Sequence, residues 1–224
     1  MTITEQTATD APTEGGPAEE SPAEEGPGTL LALPAEAQAL LFREAHTAGA
    51  FTDEPVGEDQ IRAVYDLIKY APTGMNTQPL RVALIRSPQA RERLVRHMAP
   101  GNQDKTAKAP LVALLTADRE FHEHLPVLAP HAPNAKDMFS DPQRRETWAT
   151  FNGALQLGYF IVGVRAAGLA AGPMTGFDAT GLESEFFPGG NQKVIAVVNI
   201  GHPAEGAFRP RAPRLEFEQV VSAL

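Results

Sequence analysis

The chain of 224 residues is long enough to bury one substantial core, and its 42% hydrophobic content is that of an ordinary globular protein. The absence of cysteine excludes disulfides, thiolate metal ligands and a thiol nucleophile. The net charge of −9 divides unevenly, −7 on residues 1–28 and −2 on the rest, so the near-neutral remainder gives no electrostatic case for a nucleic-acid partner.

Residues 1–28 are Glu, Pro, Gly, Thr and Ala with almost no large apolar group. Such a segment buries too little surface to offset its ordering entropy, so a disordered acidic tail is expected, followed by one domain over 29–224. No basic stretch leading into an apolar run opens the sequence; no signal peptide is visible, and a cytoplasmic location is expected. The spacing of apolar residues predicts a helix over 33–45, with Pro34 at an early position, and a second over 57–71 that places Ile61, Val64, Tyr65 and Ile68 on one face and stops at Pro72. A strand follows at 80–86, then a helix at 87–98 with Ser87 as N-cap and Pro88 as its first residue, and a buried strand at 110–117. Residues 118–143 are irregular, rich in His, Pro and Asp, and have the character of a lid. The longest element is a helix over 145–169, apolar nearly all round and therefore expected to be central and buried. Asn152, Gln156 and Arg165 interrupt it too often for a membrane span, and Gly153, Gly158 and Gly163 allow a second backbone to approach, a dimer mate among the options. A loop at 171–178, a short helix near 179–187, a strand at 193–201 and an Arg/Pro-rich tail complete the chain. Strands separated by helices and long connections predict an α+β fold with helices covering a small sheet.

Three segments carry chemistry. In "APTGMNTQPL" (71–80), Asn76 and Gln78 offer amide donors and acceptors that suit the uracil-like edge of a flavin or a nucleobase; a polar turn is the alternative. In "GPMTGFD" (172–178), Pro173 and Gly176 shape a turn whose peptide N–H groups face a ligand or simply open a capped helix. In "FRPRAPR" (208–214), prolines keep the backbone extended so that Arg209 and Arg211 face one phosphate, or else form a solvated basic tail. "HEH" (122–124) with His131 lacks carboxylates at a recognisable metal-ligand spacing, so no metal is expected.

Taken in order, "APTGMNTQP", "GNQDKTAKAP", "EFHEHLPVLAPH", "RAAGLAAGPMTGFD", "VNIG" and "RAPRLEFEQ" resemble the nitroreductase family of FMN enzymes from about Leu40 to Leu224. Within that family the sequence is most similar to the malonic semialdehyde reductase branch, which forms 3-hydroxypropionate. The resemblance implies a central, mostly antiparallel sheet covered by helices, and a homodimer with FMN in a cleft at the subunit interface. By position it implies that Thr73, Asn76 and Gln78 line the flavin and that Asn102 and Lys105 meet its pyrimidine edge. It implies that Met174, Thr175 and Gly176 lie beside the reactive flavin nitrogen, and that Arg209 and Arg211 hold the phosphate. The family's N-terminal phosphate motif falls on "AHTAGAF" (45–51), where His46 and Thr47 are the matching residues and Ala45 stands in place of the usual Arg. Loss of that charge-assisted contact costs about 1.5–3 kcal/mol. Phe151 replaces an Arg frequent in the branch and is, with Lys105 and His131, a candidate substrate contact. Asn152 and Gln156, one turn apart, are assigned structural hydrogen bonds.

The expected activity is therefore an FMN-dependent oxidation of NADH or NADPH coupled, in ping-pong order, to reduction of a small aldehyde or 3-oxo acid, a nitro compound or a conjugated carbonyl. The cofactor carries the chemistry, and no side-chain nucleophile is required. Two alternatives stand beside it: a protein of this fold that binds flavin, or none, without turnover, and an FMN-dependent biosynthetic dehydrogenase or oxidase. The partners expected are a second copy of the chain and a small-molecule substrate, with no membrane.

Overall fold

A computed structural model describes residues 30–224; the tail expected over 1–28 lies outside them. Residues Glu36–Leu224 form one unit built on a four-stranded sheet. In chain order the elements are α1 (Ala35–Gln38), running into a wider turn at Ala39–Arg43, then α2 (Glu58–Ile68), β1 (Leu80–Ile85), α3 (Pro88–His97), α4 (Pro100–Lys108) and β2 (Leu111–Asp118). After short helical turns that include α5 (Leu125–Leu128) come α6 (Pro142–Ala166), β3 (Ala170–Met174), α7 (Ala179–Phe186), β4 (Gln192–Gly201) and α8 (Phe217–Val220). The sheet order is β1-β2-β4-β3 and every pairing is antiparallel.

All eight residues of β2 are buried, and their alternation divides the core into two layers. Leu111, Ala113 and Leu115 face one side, where Ala196, Val198 and Ile200 of β4 join them against Val64 of α2 and Phe160 and Val164 of α6. Val112 and Leu114 face the other, packing with Ile85, Val197 and Met174 against Leu94 of α3 and Leu182 of α7. A period of two in the strands thus meets a period of 3.6 in the helices on both faces.

Several expectations change. The segment 171–178, read as a loop, begins as β3, whose Ala171 pairs with Ile200 and whose Pro173 pairs with Val198. A proline is tolerated there because β3 is an edge strand and its missing N–H breaks no inner ladder. Helix α4 covers most of "GNQDKTAKAP", a polar stretch without apolar periodicity, and only Thr106 of it is buried. Helix α6 starts at Pro142, behind an Asp141 cap that accepts from the amides of Gln143 and Arg144, and it ends at Ala166. It is not buried all round within the chain: Phe151 (65%), Leu155 (44%) and Tyr159 (47%) form an exposed stripe. The glycines of α6 likewise divide. A Cβ on Gly153 would sit 3.2 Å from Ala117 Cβ, and one on Gly163 would sit 2.4 Å from Ile68 Cγ2. Both therefore serve contacts inside the chain, whereas Gly158 faces open space.

The irregular region builds a core against α6. Phe121, Leu125, Ala129, Ala135 and Phe139 pack with Ala149 into a small core of their own.

Gly163→Ala should destabilise the domain by about 1–3 kcal/mol, because the added methyl must displace Ile68 and Val64 where α2 crosses α6. Urea unfolding followed by circular dichroism measures this, and an unchanged midpoint would mean that α2 yields at no cost.

Candidate anion-binding site

A cleft of about 740 Å³ opens between the segment 45–50, α4, the C-terminal half of α6, β3 and the segment 206–214. Its floor is set by backbone hydrogen bonds: Ala48 N–H donates to Ala171 O (3.0 Å) and Gly49 N–H to Ala207 O (2.8 Å). The 45–50 segment can lie this close to β3 because residue 172 is glycine; a Cβ there would fall 2.6 Å from Ala48 O. Asn199, buried in β4, donates from Nδ2 to Lys105 O (3.2 Å) and so fixes α4 at the rim.

The chemistry of the lining is one-sided. Among the described residues, Lys105, Arg165, Arg209, Arg211 and Arg214 line the cleft together with His46 and Thr47, and no Asp or Glu does. In a chain of net charge −9 this is a concentration of cations against the overall sign. Arg211 Nη2 donates to the carbonyls of Arg43 (2.8 Å) and Ala45 (3.0 Å), which ties the C-terminal segment to the 45–50 segment. The His46 ring lies 5.5 Å from that of Phe208, next to Arg209. Arg165 donates from Nε and Nη2 to Leu40 O. Burial lowers the Arg165 pKa; the Glu44 carboxylate offsets this in part, and the Arg211 cation lowers it further. An arginine so shifted is still charged at neutral pH. Without countercharge such a gathering repels itself, and an anion entering the cleft is met by guanidinium forks suited to phosphate or carboxylate.

Of the residues singled out in the sequence, His46, Thr47, Lys105, Arg209 and Arg211 come together here. The others do not line this cleft. Met174 is buried in the core, with Thr106 Oγ1 3.8 Å from its sulfur. Asn102 Nδ2 donates to Gly176 O (2.9 Å), so part of its amide is engaged within the chain, and Thr175 beside it is exposed. Phe151 stands on the exposed stripe of α6 and His131 is exposed in the irregular region. Arg165 and Arg214 belong to the cleft without having been assigned to it from the sequence. The signal for Arg165 was a cation at the end of the apolar C-terminal half of that helix.

The amide loop is a separate construction. Met75 (φ 54°), Asn76 (φ 54°) and Gln78 (φ 41°) all adopt left-handed backbone conformations that side chains other than glycine disfavour. Helix α6 holds them there. Asn152 Oδ1 accepts from Gly74 N–H (2.7 Å), Gln156 Oε1 from Leu80 N–H (3.0 Å), and Trp148 Nε1 donates to Thr77 Oγ1 (3.3 Å). Asn152 and Gln156 thus have the structural role expected of them. The Thr73 hydroxyl accepts from Gln78 N–H, Gln78 Nε2 donates to Asn76 Oδ1 (2.7 Å), and Asn76 Nδ2 to Leu128 O (2.9 Å). Gln78 also borders a second cavity of about 410 Å³ between α2, β1 and α6.

Glu120, His122 and Glu123 converge, with His122 Nε2 3.8 Å and 3.5 Å from the two carboxylates. Those carboxylates also pair with Arg145 (3.4 Å) and Lys136 (2.6 Å).

Residues 43–202 match the model of the nitroreductase family. The chain belongs to the nitroreductase family. Over 195 residues it is 58% identical to a Streptomyces griseus protein provisionally named NADH dehydrogenase/NAD(P)H nitroreductase, an alignment covering 87% of this chain and 99% of that relative. Solved nitroreductase-family structures share the fold. One is a Bacillus subtilis protein (TM-score 0.77, 21% identity, 85% of this chain and 99% of that one). Another is an Exiguobacterium sibiricum protein crystallised with FMN (TM-score 0.75, 14% identity, 85% and 98%). Membership makes this chain an oxidoreductase. No helix among the described residues is long and apolar enough to cross a membrane.

Asn152→Ala leaves the Gly74 amide, at an exposed residue beside Trp148, without its acceptor. We expect a loss of about 0.5–1.5 kcal/mol, together with faster amide hydrogen exchange confined to residues 73–80. Unchanged exchange there would show that α6 does not hold the loop.

Proposed function

We propose that the protein is an FMN-dependent NAD(P)H oxidoreductase, and the observation that carries this reading is the carboxylate-free basic cleft. Its size falls within the range usual for cofactor sites. Its donor set fits a phosphate: Arg209 and Arg211 extend from a proline-stiffened segment, Thr47 adds a hydroxyl, and Lys105 closes the rim. The chemistry supplied by bound FMN is two-electron transfer between NAD(P)H and an acceptor. The chain's own part is to bind and orient. Arg209 and Arg211 hold the phosphate, His46 packs beside it on Phe208, and Lys105 and Asn102 approach the pyrimidine edge from α4. Met174, Thr175 and Gly176 follow Pro173 just outside the cleft lining, and the backbone amides of that turn are the donors available to a flavin nitrogen.

The ring end of such a site is incomplete in one chain, because Thr73, Asn76 and Gln78 lie outside the cleft that holds the cations. We propose a homodimer in which the amide loop of a second copy completes it. The exposed stripe of Phe151, Leu155 and Tyr159 supports this, as do Tyr65, Leu67 and Tyr70 on and after α2; apolar surface arranged in this way is what an obligate interface covers. In that arrangement Phe151 and His131 are available to a substrate at the dimer cleft. The sequence likeness to the semialdehyde reductase branch, together with the cationic lining, favours a small 3-oxo acid or aldehyde as acceptor, ahead of nitro compounds and conjugated carbonyls.

The test is the absorption spectrum of the purified protein, its mass in solution, and NAD(P)H oxidation with malonic semialdehyde, nitrofurazone and an enone as acceptors. A flavin spectrum, a dimer and turnover are expected. No flavin, and no turnover after FMN is added, would overturn the reading. Flavin without turnover on any acceptor would mark a binding protein. Arg209→Ala should weaken FMN binding at least tenfold, measured by quenching of flavin fluorescence.

A further inference from the structure

We propose that Arg165 is an anion-binding residue of the cleft, held uncompensated inside the domain so that a dianionic phosphate supplies its countercharge. The inference deepens the reading of the cleft as a phosphate site and rests on it. Two ways of satisfying a guanidinium appear elsewhere in the chain, and Arg165 follows neither. Arg81, Arg119 and Arg145 each meet a carboxylate, at 2.8, 2.8 and 3.4 Å. Arg91 has no carboxylate but donates to the carbonyls of Ile85, Thr106, Ala107 and Ala109, the pattern of a structural arginine. Arg165 is only 9% exposed, forms no ion pair among the described residues, and has a single carbonyl, that of Leu40, as its partner.

Arg165 lines the cleft, and among the described residues its Nη1 has no hydrogen-bond partner, while Nε and Nη2 share the Leu40 carbonyl. The charges facing it sharpen the point. Arg211 reaches the same region from the C-terminal segment and repels it, and Glu44, the carboxylate that acts on it, lies beyond ion-pair range. Removing a largely buried charge of this kind costs little or nothing when no partner is orphaned. A residue kept there for fold alone would be as well served by a neutral donor to Leu40. Its position on α6, rather than on the 45–50 and 206–214 segments, gives the anion one contact on a helix.

The experiment uses the full chain stripped of flavin, with inorganic phosphate as probe, titrated by calorimetry in the wild type and in Arg165→Gln, which keeps a donor for the Leu40 carbonyl while removing the charge. Arg165→Gln should melt within a few degrees of the wild type without phosphate, and its phosphate Kd should rise about tenfold or more. Wild-type affinity in that variant, or no phosphate binding by the wild type, would overturn the proposal. Should Arg165→Gln fail to fold, the arginine Nε–H resonances of the unaltered chain decide: the one absent from Arg165→Lys must move on phosphate titration, and a stationary resonance overturns the proposal. Failure of the broader reading is distinct. Arg165-dependent phosphate binding in a protein that takes no FMN would sink the flavin assignment alone, while equal FMN and phosphate affinity in the wild type and Arg165→Gln would sink only the role of Arg165.

Discussion

The structure depends on how closely helix α6 can lie against its neighbours. At Gly153 it comes within one side chain of β2, and at Gly163 it is crossed by α2 at a distance that admits no Cβ. With the helix fixed in this way, three consequences follow along its length. Trp148, Asn152 and Gln156 meet the 73–80 loop and hold its left-handed backbone. Phe151, Leu155 and Tyr159 form the neighbouring stripe of the helix and are exposed. Arg165 arrives at the cleft from the last turn. One rigid element therefore positions both halves of the proposed site, the amide loop offered to a second copy and the basic cleft of its own chain.

The cleft is the electrostatic counterpart of that packing. Cations drawn from α4, α6 and the C-terminal segment are brought together without a carboxylate among the lining residues, at a cost that the free protein carries until an anion enters. The close approach of the 45–50 segment to β3, made possible by Gly172, forms the floor, and Arg211 links that floor to the C-terminal segment through two backbone carbonyls. Binding and architecture share residues here. Arg211 is at once a candidate phosphate ligand and a clasp, and an anion that competes for its guanidinium acts on the position of the 43–45 backbone as well.

Much of this was legible in the sequence because the signals were local. Ser87 and Pro88 marked the start of α3, the apolar run 110–117 marked a strand buried on both faces, and the pairing of Pro with Arg in "FRPRAPR" marked an extended basic segment. What was not legible depended on contacts distant in the chain. Helix α4 has almost no apolar face, since only Thr106 turns inward, so periodicity could not reveal it. Strand β3 contains Gly172 and Pro173 and reads as a loop until β4 is seen to pair with it. The role of Arg165 required knowing that Leu40, Arg211 and the 45–50 segment converge on the last turn of α6. The separation of the amide loop from the cations also escaped the linear reading, because a motif list has no means of showing that one chain presents the two parts in different places.

The central claim is that the cleft recognises a phosphate and through it the cofactor. Comparing FMN with riboflavin, which shares the ring and lacks the phosphate, tests that claim most directly, by titrating the flavin-stripped protein with each at low and at high salt. The account predicts FMN binding at least about a hundredfold tighter than riboflavin at low salt, a gap of about 2.7 kcal/mol, narrowing as salt screens the guanidinium groups. Equal affinity for the two flavins, unaffected by salt, would contradict it.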